Sequence, residues 1–283
     1  PNIVSIGSSA FRGCSSLTNA GCTLEGESLW PTGSESKLRT IGSFAFSNCS
    51  KLTETYIPAS VQQVDKQVFY NCTRLETISW FASEISDYAS ASETPFYGSS
   101  AVIKNLYVGN RIPAYLFCNM ANSLRNTVFS TGTCSYIGTS AFAGIDFTKI
   151  TISKNTEFIG DYAFAKKAGA WQSGSTLKQL TIDDCPSLII GDAGFACLNG
   201  TGALESIITH AAVPPMLGND VFANMGSPTL RIVSERNQPL GVSVRDGYAL
   251  SDGWKDFFSP FTITISSSDE ARGSTEGGGT FNI

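Results

Sequence analysis

Charge is scarce in this 283-residue chain. Lysine and arginine number 19 and aspartate and glutamate 24, so 15% of the side chains are charged, against roughly 25% in an ordinary globular domain. The balance is acidic, with net charge −5 and a pI near 5.0. A nucleic-acid partner is therefore not expected, because it needs a basic face to neutralise its phosphates. Histidine occurs once, at His210, which removes most metal and acid–base designs. No run of about 18 apolar residues exists, so no membrane-spanning helix is written in the sequence. The eight cysteines lack the paired CxxC spacing of a zinc site and are too few for a small disulfide scaffold. Disorder is excluded by 11% aromatics and 42% hydrophobic residues. The length suits one or two ordinary domains. The chain opens at Pro1 with neither Met nor a leader, and reads as a mature or trimmed product.

What is present is a repeat. Ile6-Gly7-Ser8-Ser9-Ala10-Phe11 returns as Ile41-Gly42-Ser43-Phe44-Ala45-Phe46, as Ile137-Gly138-Thr139-Ser140-Ala141-Phe142 and as Ile159-Gly160-Asp161-Tyr162-Ala163-Phe164. Weaker copies end at Phe69, Phe96, Phe117, Phe195 and Phe222, so nine of the 18 phenylalanines share one slot. The steps between them run from 21 to 35 residues around a base period near 23.

Each anchor leads into a second unit, Leu-x-x-apolar-x-apolar. It reads Leu52, Thr55, Ile57, then Leu75, Ile78, Trp80, then Leu177, Leu180, Ile182. Alternation over its last four residues marks a strand with one buried face. A 23-residue unit cannot bury a face alone, so the units must stack and share a core. The expected fold is a solenoid, a right-handed β-superhelix with one curved parallel sheet of short strands, and turns or single helical turns opposite. Nine strands about 4.8 Å apart give a sheet of about 40 Å.

The motif Ile-Gly-x-x-Ala-Phe-x-x-Cys-x-x-Leu followed by Ile-x-Ile-Pro resembles the BspA type of leucine-rich repeat, found in surface proteins of anaerobic bacteria and some protozoa. The best stretch, Ile41 to Ile78, holds Cys49-Ser50-Lys51-Leu52, Ile57-Pro58 and Cys72-Thr73-Arg74-Leu75. The resemblance spans Ile3 to Phe258, with Pro214-Pro215, Tyr248 and Gly253-Trp254-Lys255-Asp256-Phe257-Phe258 similar to the family's closing unit. It implies a leucine-rich-repeat solenoid and a non-enzymatic cell-surface or secreted protein, adhesion-like, that takes an extracellular or host protein or a glycan. It leaves the ligand open. The copies at Phe96 and Phe117 depart by lacking the glycine, and Val64-Asp65 replaces Ile-Gly.

The expected organisation is a solenoid over 1–233, a capping unit over 234–265 and a polar, Gly/Ser-rich tail over 266–283. Within the cap, Phe261-Thr262-Ile263-Thr264-Ile265 alternates as a closing strand would. The period-breaking segments 23–37, 83–94, 166–176 and 198–202 are rich in Ser, Gly and Glu and are expected as loops.

The chemistry-bearing residues have plain explanations. Cys14, Cys49 and Cys72 each lie three residues after an anchor and read as buried repeat positions, with mostly free thiols expected. Phe11, Phe46, Phe69, Phe142, Phe164, Phe195 and Phe222 join Cys49 and Cys72 as the repeat core. His210 stands without a Gly-x-Ser-x-Gly elbow and reads as a surface residue. Asp183-Asp184 and Asp269-Glu270 are adjacent carboxylates, as turns and tails carry. Gly277-Gly278-Gly279 lacks a following Lys-Ser, and Asp246-Gly247 and Asp252-Gly253 lack the ligand series of a calcium loop. The sequons at Asn48 and Asn71 arise from the repeat itself; a third sits at Asn199. No cofactor or metal is implied.

That leaves the outward positions of the strands. Glu54, Tyr56, Ser79, Tyr107, Lys149, Thr151, Thr181 and Arg231 form a polar, nearly uncharged ladder, with Trp80 and Phe81 near its rim. Tyrosine is enriched at binding surfaces, and these residues are the expected binding face of a monomeric protein. Two alternatives stay open: a structural spacer or surface-layer component without a dedicated ligand, and a carbohydrate-active enzyme built on insertion loops.

Overall fold

The computed structural model describes residues 3–20, 36–99, 102–118, 120, 127–166, 175–198, 200–233 and 244–258. It is a parallel β-solenoid whose coils each contribute a short and a long strand, except the coil of Phe96, which has the long strand alone. The long strands carry the alternating unit: Glu54–Ile57, Thr77–Trp80, Gln179–Ile182 and Ser206–Thr209 all bury their second and fourth residues. The short strands are two residues long and hold the Ile that precedes Gly, as in Thr40–Ile41, Tyr136–Ile137 and Phe158–Ile159. Apart from one break in each ladder, every strand pairs in parallel with its counterpart in the next coil, the rest of the coil forming the crossover between them. The short ladder differs from the single sheet expected, because a two-residue strand is too brief to show a period.

Between the ladders the chain turns sharply. In the second coil Ala45 N–H donates to Gly42, Ser47 to Phe44 and Cys49 to Phe46, at 3.2, 3.0 and 3.3 Å. These are three overlapping four-residue turns. Phe44 and Asn48, third residues of the first and last, have φ of 59° and 60°, the signature of a type II turn. The first of these positions is left-handed in eight coils, at Ser9, Phe44, Gln67, Tyr115, Ser140, Tyr162, Ala193 and Asp220. Bulky residues rarely adopt that conformation. Here it is held from outside, since alternate turn amides also bond the next coil: Phe46 N–H to Val68 at 3.0 Å and Asn48 N–H to Tyr70 at 2.8 Å. The second position is left to Gly13, Asn48, Asn71, Gly98, Gly144 and Asn224. This accounts for the sequon asparagines at 48 and 71; Asn199 lies outside the described residues.

The Gly of Ile-Gly answers to a different constraint. A Cβ on Gly42, Gly138 or Gly160 would lie 2.3–2.5 Å from a backbone nitrogen of the preceding coil, so only hydrogen fits.

The core is a column of rings. Phe11, Phe46, Phe69, Phe96, Phe117, Phe142, Phe164, Phe195 and Phe222 stack in sequence with centroids 5.0–5.9 Å apart and planes within 27°. The column stays continuous where both ladders break. The short ladder stops at Gln63–Val64 and resumes at Arg111–Ile112; the long ladder stops at Asn105–Val108 and resumes at Thr127–Ser130. Phe11 corrects the expected core membership: it is 40% exposed, and among the described residues its ring stacks on Phe46 alone. Trp80 corrects the expected rim: it is fully buried, with its ring edge-on to Phe96.

The segment 83–94, expected as a loop, fills the gap in the short ladder and packs there. Ile85 is buried. Tyr88 donates to the Val64 carbonyl at 3.0 Å, and burial pushes its hydroxyl well above the usual tyrosine range. Asp87 accepts from Arg111 Nη2, the Ala114 amide and the Tyr136 hydroxyl at 2.9, 2.9 and 2.8 Å.

At the other end, helix Val244–Leu250 and the turn Lys255–Phe257 close the last coil. Trp254 Nε1 donates to the Pro215 carbonyl at 2.7 Å. Phe257 meets the last column ring, Phe222, edge-on at 5.7 Å. The expected closing strand at 261–265, the tail 266–283 and most of the insertion 23–37 lie outside the described residues. No described helix is long and apolar enough to cross a membrane.

Candidate binding surface

Parallel register brings the outward residues of the long strands into rungs. Tyr56 pairs with Ser79 and Ser79 with Tyr107, while Glu54 pairs with Thr77 and Thr77 with Asn105. Glu54 accepts from Asn19 Nδ2 at 3.1 Å, and Asn105 Nδ2 donates to Thr77 at 3.2 Å. Tyr56 is half-buried, its ring tilted against Phe81 at 5.3 Å; Tyr107 is 55% exposed. After the break in the ladder, Lys149 pairs with Gln179. Thr151 pairs with Thr181, Thr181 with Ile208 and Ile208 with Arg231. The eight sequence-derived residues thus fall on two blocks of sheet, Glu54, Tyr56, Ser79 and Tyr107 on one and Lys149, Thr151, Thr181 and Arg231 on the other. Beside the strands, Lys104–Glu76 and Lys178–Glu205 form exposed ion pairs at 2.8 and 3.1 Å, of a kind that contributes little.

No three His, Cys, Asp or Glu side chains among the described residues are grouped to hold a metal ion. His210 is exposed just past the strand Ser206–Thr209. A cavity of about 470 Å³ opens between the last coil and the cap, with Asp220 and Asp256 in its lining. Both carboxylates belong to exposed residues.

A family model described as "BspA type Leucine rich repeat region" matches the chain in six copies, over residues 1–108, 39–170 and 110–232. The chain belongs to the BspA-type leucine-rich-repeat family. No curated protein is similar enough to match it. Among solved structures, a leucine rich cell surface protein from Faecalibacterium prausnitzii A2-165 is 19% identical, with a TM-score of 0.30. The match covers 85% of this chain and 65% of that protein, so the chain spans somewhat under two thirds of its length.

For a BspA-type chain the repeat reading omits one surface. The residue before each short-strand Ile points outward. It is Ser5, Thr40 and Gln63 in the first coils, but Tyr136, Phe158, Ile189 and Met216 in the last four, in continuous register. The signal was present as Tyr-Ile-Gly, Phe-Ile-Gly, Ile-Ile-Gly and Met-Leu-Gly, hidden by treating the motif as a turn. Arg111 ends the row, its guanidinium 3.8 Å from the Tyr136 ring centre, and burial together with the Asp87 contact raises the Tyr136 hydroxyl above its ordinary value.

Proposed function

We propose that this BspA-type chain is a non-enzymatic interaction module, extracellular or at a bacterial cell surface, that binds a protein or glycan partner through the long-strand sheet as a monomer. The observation that carries this reading is the rung Tyr56–Ser79–Tyr107 beside Glu54–Thr77–Asn105. It is a hydrogen-bonding face that carries one carboxylate, Glu54, and exposes aromatic area at Tyr107. Contact spread over several coils suits a macromolecule or polymer better than a small metabolite. Lys149, Thr151, Thr181 and Arg231 add two hydroxyls and two cations on the second block.

The test is a pull-down from extracellular-matrix or mucosal extract with the wild type and with the Tyr56→Ala/Tyr107→Ala variant. A partner retained by the wild type and lost by the variant, at unchanged melting temperature, supports the reading. Equal retention moves the site off this face. An empty result across matrix proteins and glycans favours a structural spacer.

A further inference from the structure

The short-ladder row is a continuous apolar stripe that no other described segment covers. Tyr136 and Phe158 stack at 5.2 Å with planes 15° apart, so they present ring edges. Ile189 and Met216 are 42% and 68% exposed. Contiguous exposed apolar side chains with polar surroundings mark interaction sites. The stripe begins only after Asp87 has fixed Arg111 and Tyr136, and its equivalents Ser5, Thr40 and Gln63 are polar. It therefore belongs to the second half of the molecule and is not a property of every repeat.

Its flanks are acidic. The turns that follow the four strands (residues 137–143, 159–165, 190–196 and 217–223) contain Asp161, Asp192 and Asp220 and no lysine or arginine. On the preceding side Glu157 adjoins Phe158, and the cations near the stripe are Lys154 and, at its Tyr136 end, Arg111, which is paired with Asp87. An apolar row with this border favours a partner that is apolar along one line and basic beside it, and it disfavours an anionic membrane.

Spacing decides the partner's conformation. Coils repeat about every 4.8 Å, so four side chains span about 14 Å along the solenoid axis. An α-helix laid along that axis repeats one face every 5.4 Å, or about 16 Å over three turns. An extended strand presents same-face residues about 6.8 Å apart and falls out of step at once. We infer that the Tyr136–Phe158–Ile189–Met216 stripe docks one face of a basic amphipathic helix from a partner protein, one apolar residue per coil.

The probe is a 14-residue Leu/Lys peptide with leucine at alternating three- and four-residue spacing, titrated by fluorescence anisotropy. Its controls are the same composition with leucine at every second position, and a Leu/Glu helix-patterned version. Wild-type protein should bind the first at least tenfold more tightly than either control. Ile189→Ser/Met216→Ser, which leaves the charge unchanged, should weaken binding at least tenfold, as should Glu157→Lys. Tyr56→Ala/Tyr107→Ala should leave it intact, which separates this surface from the long-sheet reading. Should the double variant fail to fold, Met216→Ser and Glu157→Lys each serve alone. Equal binding of the two Leu/Lys patterns, or unchanged binding by the serine variants, reduces the effect to bulk charge and overturns the inference. A wild-type dimer dissolved by Met216→Ser, or loss of phosphatidylcholine-vesicle binding in that variant, overturns it in favour of a second copy or a membrane.

Discussion

The thiol of Cys72 donates to the carbonyl oxygen of Phe46, one coil earlier, at 3.2 Å. Cys49 repeats the contact on Phe11 at 3.1 Å. In these two coils the cysteine slot ties the turn to the ring column of the coil before it. Burial pushes the Cys72 thiol up to about 12, with the neighbouring Cys49 adding to the effect, and burial raises Cys134 to about 12.

A pH dependence follows. A native thiol held above its ordinary value of 9.0 stays protonated where the unfolded chain ionises, so its stabilisation is complete below pH 9 and lost between about 9 and 12. At pH 10, Cys72 and Cys134 should each cost about 1 kcal/mol relative to pH 8. Urea denaturation at the two pH values measures the loss. Cys72→Ala/Cys134→Ala should flatten the profile, and a thiol-reactive disulfide reagent at pH 8 should modify exposed Cys14 long before Cys49, Cys72, Cys134 or Cys185.

The ring column should be most sensitive at its middle. Phe142 touches Phe117, Phe129, Phe147 and Phe164 with centroids 4.8–5.7 Å away. Phe142→Ala should cost about 3–5 kcal/mol, whereas Phe11→Ala, at the open end, should cost roughly 1 kcal/mol from lost apolar burial. Chemical denaturation of both variants tests the contrast; equal losses would mean the column is not the core's main contact.

Two glycines in the same motif slot should behave oppositely. A Cβ at Gly160 meets the Thr139 amide nitrogen at 2.5 Å, while one at Gly7 meets nothing within 4 Å because no described coil precedes it. Gly160→Ala should destabilise by about 1–3 kcal/mol and Gly7→Ala should stay within about 0.5 kcal/mol of wild type. Melting curves recorded side by side suffice to decide.

One hydroxyl adds to the contacts that hold the cap. Tyr248 is fully buried, with its hydroxyl 2.7 Å from Thr209 Oγ1 and donating to the Ala211 carbonyl at 3.1 Å. Tyr248→Phe removes that oxygen and leaves buried Thr209 without this partner, so a loss of about 1–3 kcal/mol is expected. Hydrogen exchange should show the excess opening confined to the last coil and helix Val244–Leu250.

Large residues that recur at one slot are easy to read, and for that reason the phenylalanine anchors and the long strands were legible. Glu54–Ile57 and Gln179–Ile182 also show the two-residue alternation directly. Left-handed backbone at Phe44, Tyr115 and Tyr162 was not legible, because bulky side chains argue against it and the stabilising bonds come from another coil. The insertion 83–94 looked like a loop by composition; its anchoring depends on Asp87 meeting Arg111 and Tyr136, 24 and 49 residues away. The outward rungs followed from alternation, but the division of the long sheet into two blocks did not. Residue identity within one strand carries no information about whether the next strand continues the ladder.

The unbroken column has a mechanical corollary. Neighbouring coils hold one another through rings spaced 5.0–5.9 Å apart, while the chain between successive rings runs 21–35 residues. Pulled from its two ends, such a molecule should yield by peeling, each detached coil of about 23 residues lengthening the tether by roughly 80 Å. A surface filament made this way would act as a ratcheted extensible leash, giving ground in discrete steps under shear while its remaining coils stay wound.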